Sequence, residues 1–199
     1  MFFILAAIFL VGLLAKVVSD RNMDVTAQSQ RASTLTAATD IKIYAGQIKQ
    51  AIETVLNNNN HTVAELDDVA AHEAAFDTAP HSAKIYHPYG GGAPYHSTYL
   101  GWVDIIIADN IAIDGVSTAT SEVTAVGKVN AELCRALAVN NTPAVVTDVA
   151  ANSMLDSSTA VTLSEGSTCQ TNLCNGFQSH CVENTSGNLW IFYSVMLPR

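Results

Sequence analysis

The chain has 199 residues, enough for one domain with a buried core, or one domain with an appendage. Only 14% of the residues are charged, and the net charge is −9. The nine Lys and Arg residues are scattered singly, so no cluster of cations fits a phosphate backbone, and nucleic acid is not predicted as a partner.

The N-terminal segment begins with an uncharged, apolar run over residues 2–15. This run is shorter than the roughly 20 residues of a membrane span. Lys16 can extend its ammonium to the headgroups, however, so a span that ends near Val18 is feasible. Two alternatives stay open. One is a plain membrane anchor. The other is a cleaved signal peptide, although the basic region and small-residue cleavage site of such peptides are absent from this segment.

Residues 23–56 continue the pattern of a helix, because they contain no Pro and only one Gly, Gly46. Apolar residues recur there at steps of three and four, as in an amphipathic helix. The sequence therefore predicts one helix from Phe2 to Leu56, on the order of 80 Å long. Such a helix suits a filament, in which apolar halves form the core and amphipathic halves carry the heads. The predicted stripe consists of Ile41, Tyr44, Ala45, Ile48, Ile52 and Val55.

Four Asn residues at 57–60 end the predicted helix. A short helix is predicted over His61–Phe76, since Thr62 and Glu65 have the spacing of a capping box. Its apolar stripe would be Val63, Leu66, Val69 and Ala70. A short strand is predicted over Ser82–His87, within an otherwise loop-like stretch.

The segment around the triple glycine Gly90–Gly92 is interpreted as a turn, because a phosphate loop requires a Lys that is missing here. His87 and His96 flank it without a nearby carboxylate, so we expect solvated or hydrogen-bonded imidazoles. Asp67 and Asp68 are adjacent and are interpreted as a solvated face. No nucleophile motif is present, and we predict no catalytic residue, no metal site, no cofactor and no enzymatic activity.

The second half of the chain is rich in β-branched residues, which favour strands. A strand is predicted over Trp102–Ala108, followed by a turn at Asp109–Asn110 and a return strand over Ile111–Ile113. Thr118–Ala125 is interpreted as an edge strand or a linker, and Ala125–Val139 as a helix. Further strands are predicted over Val145–Val149, Val161–Leu163 and Leu189–Met196, the last closing an antiparallel sheet.

The four cysteines are Cys134, Cys169, Cys174 and Cys181. An even count in an exported chain predicts two disulfides. Zinc ligands and free thiols are the alternatives, and no Cys-x-x-Cys pair is present to favour zinc. Four cysteines allow three pairings, and the spacing does not choose among them.

An apolar N-terminus that leads into a long helix, then a Thr/Asn/Gly-rich head with a C-terminal cysteine loop, resembles a type IV pilin or pseudopilin. The cysteine within the stretch 131–137 of the predicted helix Ala125–Val139 makes the type IVb branch the most similar in layout. The resemblance implies an α+β fold, with the long helix packed on an antiparallel sheet and loops closed by disulfides. It also implies one bond from Cys134 to the C-terminal segment and one local bond. Residues 1–25 would form the filament core and residues 26–199 the head.

The same resemblance implies a structural subunit that resides in the inner membrane and then joins an extracellular filament. Its partners would be copies of itself and the pilus assembly machinery. A non-polymeric anchored protein or a minor pseudopilin is the alternative. The core residues would be Phe2, Phe3, Ile4, Leu5, Ile8, Phe9, Val11, Leu13 and Leu14.

The chain departs from the pilin pattern at Leu5, where most pilins carry a glutamate that pairs with a neighbour's N-terminus. A proline near Asn22 and a leader before Met1 are also absent, so we expect a mature chain or a different processing route. Inter-subunit pairing among the charges near the rim of the apolar segment would replace the glutamate. These charges are Lys16, Asp20, Arg21 and Asp24.

Overall fold

A long N-terminal helix precedes a mixed sheet in the computed structural model of the chain. The structure describes residues 2–69, 72–116, 122–156, 158–171 and 173–198, and over residues 2–27 it describes only the backbone. These parts form an α+β fold with a seven-stranded sheet and two disulfides, which confirms those features of the predicted fold class. The sheet is mixed and not antiparallel as predicted, because two of its strand pairs run parallel. Contacts between Cα atoms divide the chain into two units, Met1–Thr36 and Ala37–Arg199.

Helix α1 spans Phe2–Asn57, as the unbroken helical pattern predicts. It ends at the run of Asn residues, and Asn60 adopts a left-handed conformation with φ of 57°. Asparagine tolerates this conformation better than most residues, so the predicted end of the helix is confirmed.

The sheet has the strand order β1-β2-β3-β7-β6-β4, and β5 pairs with β2. The β1–β2, β2–β3, β3–β7 and β7–β6 pairs are antiparallel, while β5 and β4 run parallel to β2 and β6. Two short helices, α2 and α3, complete the fold. The element bounds are β1 Thr98–Tyr99, β2 Trp102–Ile113, β3 Glu122–Val129, α2 Ala131–Leu137, β4 Ala144–Val146, α3 Asp148–Met154, β5 Val161–Leu163, β6 Ser179–Asn184 and β7 Trp190–Leu197.

Strands β3 and β7 lie at the centre of the sheet and are buried on both faces. Successive side chains of a strand point to opposite faces, so β7 contributes Phe192 to one hydrophobic cluster and Tyr193 to the other. The first cluster contains the buried faces of α1 and α2, and the second contains α3, β4 and β5. The sheet thus separates two cores.

The helix predicted over His61–Phe76 is wrong. The capping box does form, because the Thr62 amide donates to Glu65 Oε2 at 2.7 Å, but it starts only a 3₁₀ turn over Val63–Glu65. Leu66 is already extended, since Asp67 pairs with the segment near Lys84 through two backbone hydrogen bonds of 3.1 and 2.9 Å. Pairing with a distant segment overrides the local helical signal. Ala70, the last residue of the predicted stripe, lies outside the described residues.

The strand predicted over Ser82–His87 is also wrong. A 3₁₀ turn covers His81–Ala83, and only the single bridge between Lys84 and Asp67 has β character.

The turn predicted at Asp109–Asn110 is a β-bulge, because β2 continues to Ile113 with a shift of register between Ala108 and Ile111. Asn110 donates to the carbonyls of Asp156 and Thr159 at 3.0 and 2.6 Å. Its side chain thus fixes the bulge to the loop that precedes β5, and the strand beyond pairs with β5.

The interpretation of residues 118–139 is corrected in two respects. Residues 117–121 lie outside the described part, but Glu122–Val129 is a central strand and neither an edge strand nor a linker. The helix begins at Ala131 instead of Ala125, because Asn130 caps it and accepts the Leu133 amide at 2.8 Å. Val149 belongs to α3 and not to a strand. The predicted strands Val161–Leu163 and Leu189–Met196 are confirmed in substance.

We expect Gly127→Ala to destabilise the head by about 1–3 kcal/mol. A Cβ at Gly127 would collide with the indole of Trp102, at 2.7 Å from Cδ1, and with the Val103 carbonyl oxygen at 2.8 Å. Trp102 is fully buried, and a backbone oxygen cannot move aside cheaply. Denaturant unfolding followed by tryptophan fluorescence measures the change.

Gly46→Ala is the matched control, because a Cβ there meets no atom within 4 Å and Gly46 lies inside α1. It should stabilise the helix by about 0.5–1 kcal/mol. Equal effects of the two substitutions would contradict the packing described around Trp102.

Candidate assembly site

The described side chains of α1 fall into two groups. Residues 28–33 are all exposed, whereas a buried face begins at Ala38 and repeats at steps of three and four residues. The buried face matches the stripe predicted from Ile41 to Val55. It consists of Ala38, Ile41, Tyr44, Ala45, Ile48, Ala51, Ile52 and Val55.

Tyr44 fixes the helix on the head through two hydrogen bonds of its hydroxyl group, one as donor and one as acceptor. The hydroxyl donates to the Pro94 carbonyl at 3.0 Å and accepts the His96 amide at 3.2 Å. The ring packs on Tyr99 with centroids 4.6 Å apart. Burial raises the pKa of Tyr44 to about 12, so the hydroxyl stays protonated and remains a donor near neutral pH.

The opposite face of α1 is poorly explained by packing inside the chain. Ile43 has 56% of its surface exposed, and Gly46 faces open space. Glycine in a helix costs about 1 kcal/mol relative to alanine. Since no residue in the part of the chain that the structure describes lies within 4 Å of a Cβ at Gly46, this face suits close contact with another molecule.

The four cysteines form two disulfides, Cys134–Cys181 and Cys169–Cys174. The first joins α2 to β6 across 47 residues, and the second closes a loop of five. All four are buried and none is free. This confirms the predicted disulfides, and their arrangement is the one that the pilin resemblance implies.

The nine predicted core residues between Phe2 and Leu14 belong to α1, as do the four charged residues Lys16, Asp20, Arg21 and Asp24. Their side chains lie outside the described part, so their grouping stays a prediction. No helix within the described residues is long and apolar enough to cross a membrane.

Lys84 is a buried cation, with only 1% of its surface exposed, and backbone carbonyl groups bind its ammonium. Its Nζ donates to the carbonyls of Ala75, Phe76 and Thr78, the second at 2.9 Å. The sequence predicts a strand at this residue and does not indicate the cage of carbonyl groups. The cage depends on how the loop folds back, which no local pattern encodes.

The triple glycine forms the turn predicted for it, with positive φ at Gly92. The other two glycines allow close backbone approach. A Cβ at Gly91 would lie 2.5 Å from the Ile85 carbonyl oxygen and 2.7 Å from Ala51 on α1, and one at Gly90 would overlap the Lys84 carbonyl.

The two histidines that flank the glycines are both packed against aromatic rings. His87 is buried and accepts the Tyr89 amide at Nδ1, at 3.1 Å, so it is hydrogen-bonded as expected and not solvated. His96 packs its ring on Tyr44 and Tyr99. Asp67 is not simply a solvated acid either, because it accepts the Val69 amide at 3.0 Å.

A second buried histidine, His180 on β6, has no signal in the sequence that singles it out. Its Nδ1 accepts the Val139 amide at 3.1 Å, and its ring stacks on Phe177 at 5.0 Å. Burial, assisted by Lys42, lowers its pKa to about 4. A histidine with a lowered pKa stabilises the fold above its ordinary value of 6.5, and that stability is lost as the pH falls toward 4.

Comparison with known proteins gives no match, because no protein-family model, no curated protein and no solved structure resembles this chain closely enough.

Removing Cys134–Cys181 by a double Ala substitution should destabilise the head by about 4 kcal/mol, and removing Cys169–Cys174 by about 2 kcal/mol. The loop-entropy relation gives the longer loop the larger effect, and the separations are 47 and five residues. Denaturant unfolding of the two variants measures the difference. Thiol labelling of denatured, unreduced wild-type protein is the control, and it should find no reactive group. A larger loss of unfolding free energy on removal of Cys169–Cys174 than on removal of Cys134–Cys181 would contradict these pairings.

Proposed function

We propose that the chain is the structural subunit of an extracellular, type IV pilus-like filament that polymerises through α1. The observation that supports this proposal is that α1 is much longer than the face that it is seen to bury in the core of the head. The helix runs over Phe2–Asn57, and among the side chains that the structure describes, the first one of α1 that is buried in the core of the head is that of Ala38. The sequence places an uncharged, apolar run at residues 2–15, which a bundle of neighbouring helices would bury.

Burial of the apolar residues in a bundle of neighbouring helices holds an assembled subunit against release into water. A fully buried Leu, Ile or Phe contributes about 1.5–3 kcal/mol relative to exposure to water. The membrane holds the same segment before assembly, so its transfer from lipid to the bundle gains packing between helices and little hydrophobic energy.

Register along the filament requires directional contacts, because apolar burial is non-directional. Leu5 provides no charge, so Lys16, Asp20, Arg21 and Asp24 take this role between neighbouring subunits. Close helix contact at Ala6, Ala7 and Gly12 supports it. A minor pseudopilin or a non-polymeric anchored protein is the alternative, and the unusual Leu5 is the observation that favours it.

Replacing Ile8 with Asp should abolish filaments while the head remains folded. A carboxylate at the centre of the bilayer costs about 3 kcal/mol on insertion scales, and it stays unpaired in an apolar bundle. Sheared surface material is examined by electron microscopy for periodic fibres that contain this chain. Gln50→Asp is the matched control, because it adds the same charge at an exposed position of α1 and should leave fibres intact. Normal fibres from the Ile8 variant would remove residues 2–18 from the core.

Asp20→Ala should weaken fibres more than a double change of Asp20 and its partner, Lys16 or Arg21. Removal of one member leaves a lone, partly buried charge, which is more costly than the loss of both. The yield of sheared fibres from each variant measures the effect. Leu5→Glu provides the comparison. If Asp20→Ala assembles like the parent while Leu5→Glu assembles better, the charged band does not set the register, and the chain is a minor or non-polymerising subunit.

A further inference from the structure

The segment Ala75–Gly92 is a compact loop in which Ile85 and Tyr86 are buried in the first hydrophobic cluster, and polar contacts hold it at Ser82. Asn59 Nδ2 donates to the Ser82 carbonyl at 2.9 Å, and His61 Nε2 lies 2.8 Å from Ser82 Oγ. Inside the loop, the amides of Gly90 and Gly92 donate to the His87 carbonyl at 2.9 and 3.0 Å. The position of His87 therefore determines how the loop closes.

Three rings pack around that of His87. The imidazoles of His81 and His87 are 4.4 Å apart and nearly parallel, at 14°. Phe76 lies 4.9 Å and Tyr89 5.5 Å from the His87 ring. Since Nδ1 of His87 accepts the Tyr89 amide, the ring in this arrangement is neutral and carries its proton on Nε2. Nδ1 of His81 is buried and has no hydrogen-bond partner among the described residues.

The electrostatic surroundings oppose a further positive charge at His87. The Lys84 ammonium is enclosed nearby by neutral carbonyl oxygens, so no carboxylate in the cage cancels its charge. Burial lowers the pKa of His87. The neighbouring groups His81 and Lys84 lower this pKa further, and Asp77 raises it. The other titratable groups are Tyr86 and Tyr89 in the loop, and His61, Glu65 and Asp67 on the stretch against which it packs.

We propose that Ala75–Gly92 is an acid-sensitive clasp, which opens when His87 is protonated beside the buried Lys84 ammonium. A proton on Nδ1 turns that atom into a donor facing the Tyr89 N–H group, so the bond between them is lost. The new charge lies against the His81 ring and near the ammonium, and the loop relieves both penalties by releasing His87 to water. This inference does not depend on the filament proposal.

The sign of the effect follows from the lowered pKa. The released ring titrates near the ordinary value of 6.5, whereas the closed loop binds the proton only at lower pH. The closed form is therefore fully favoured above pH 6.5, and it loses ground as the pH falls below that value. Opening should expose the backbone amides that bond within the loop, while the sheet remains paired.

Hydrogen exchange of the full chain in mild detergent tests the clasp, with the amides of Gly90 and Gly92 as reporters. After correction for intrinsic rates, their protection should fall by about tenfold between pH 7.5 and pH 4.5. His87→Asn retains an acceptor near the Tyr89 amide but cannot titrate, so it should remove most of this fall. His96→Asn is the matched control and should behave like the wild type. The amides of β7 report on the sheet, where His180 titrates, and should respond alike in all three proteins.

Two outcomes would overturn the proposal. One is constant protection of Gly90 and Gly92 in the wild type across this range, and the other is an equal loss in His87→Asn. If His87→Asn does not fold, the wild type decides the matter alone. The loss of protection must then follow the titration of the His87 ring observed by NMR, and a mismatch between the two midpoints contradicts the clasp.

Discussion

The packing of one face of α1 on the sheet holds the head together. Ile41, Ile48 and Ile52 are fully buried in the cluster that also contains Trp102 and Phe192. Burial of each such side chain contributes about 1.5–3 kcal/mol. The loops that close over this face depend on the helix as well, because Tyr44 binds residues on the 94–96 stretch and Ala51 supports the turn at Gly91.

The sheet links the cluster that contains α1 to a second hydrophobic cluster on its other face. Because β3 and β7 are buried on both faces, they couple the cluster under α1 to the cluster that holds α3. The Cys134–Cys181 bond reinforces the same junction, since it joins α2 to a strand beside β7. The Cys169–Cys174 bond has a local role near β4, where Cys169 pairs with Val146.

Features with a local physical cause were predictable from the sequence. The long helix, its end at the Asn run, the last strand and the two disulfides follow from periodicity, turn chemistry and cysteine count. The capping box at Thr62 and Glu65 was also recognised, but it begins a single turn because Asp67 pairs with a segment distant in sequence.

Features determined by distant contacts could not be predicted in this way. The Asp109–Asn110 pair has the chemistry of a turn, yet Asn110 uses its amide to bind the loop before β5, and the strand continues. The buried Lys84 and the stack around His87 arise only when residues 75–92 fold back on themselves. Neither lies in a pattern that a single sequence reveals.

The filament proposal requires that the N-terminal half of α1 is buried against other copies of the chain. A single cysteine at Leu14 is a specific probe, because all four native cysteines are engaged in disulfides. In sheared surface material from a Leu14→Cys variant, we expect this thiol to resist labelling before denaturation and to form crosslinks between copies on oxidation. Full labelling of the native material, with monomers alone after oxidation, would contradict the account.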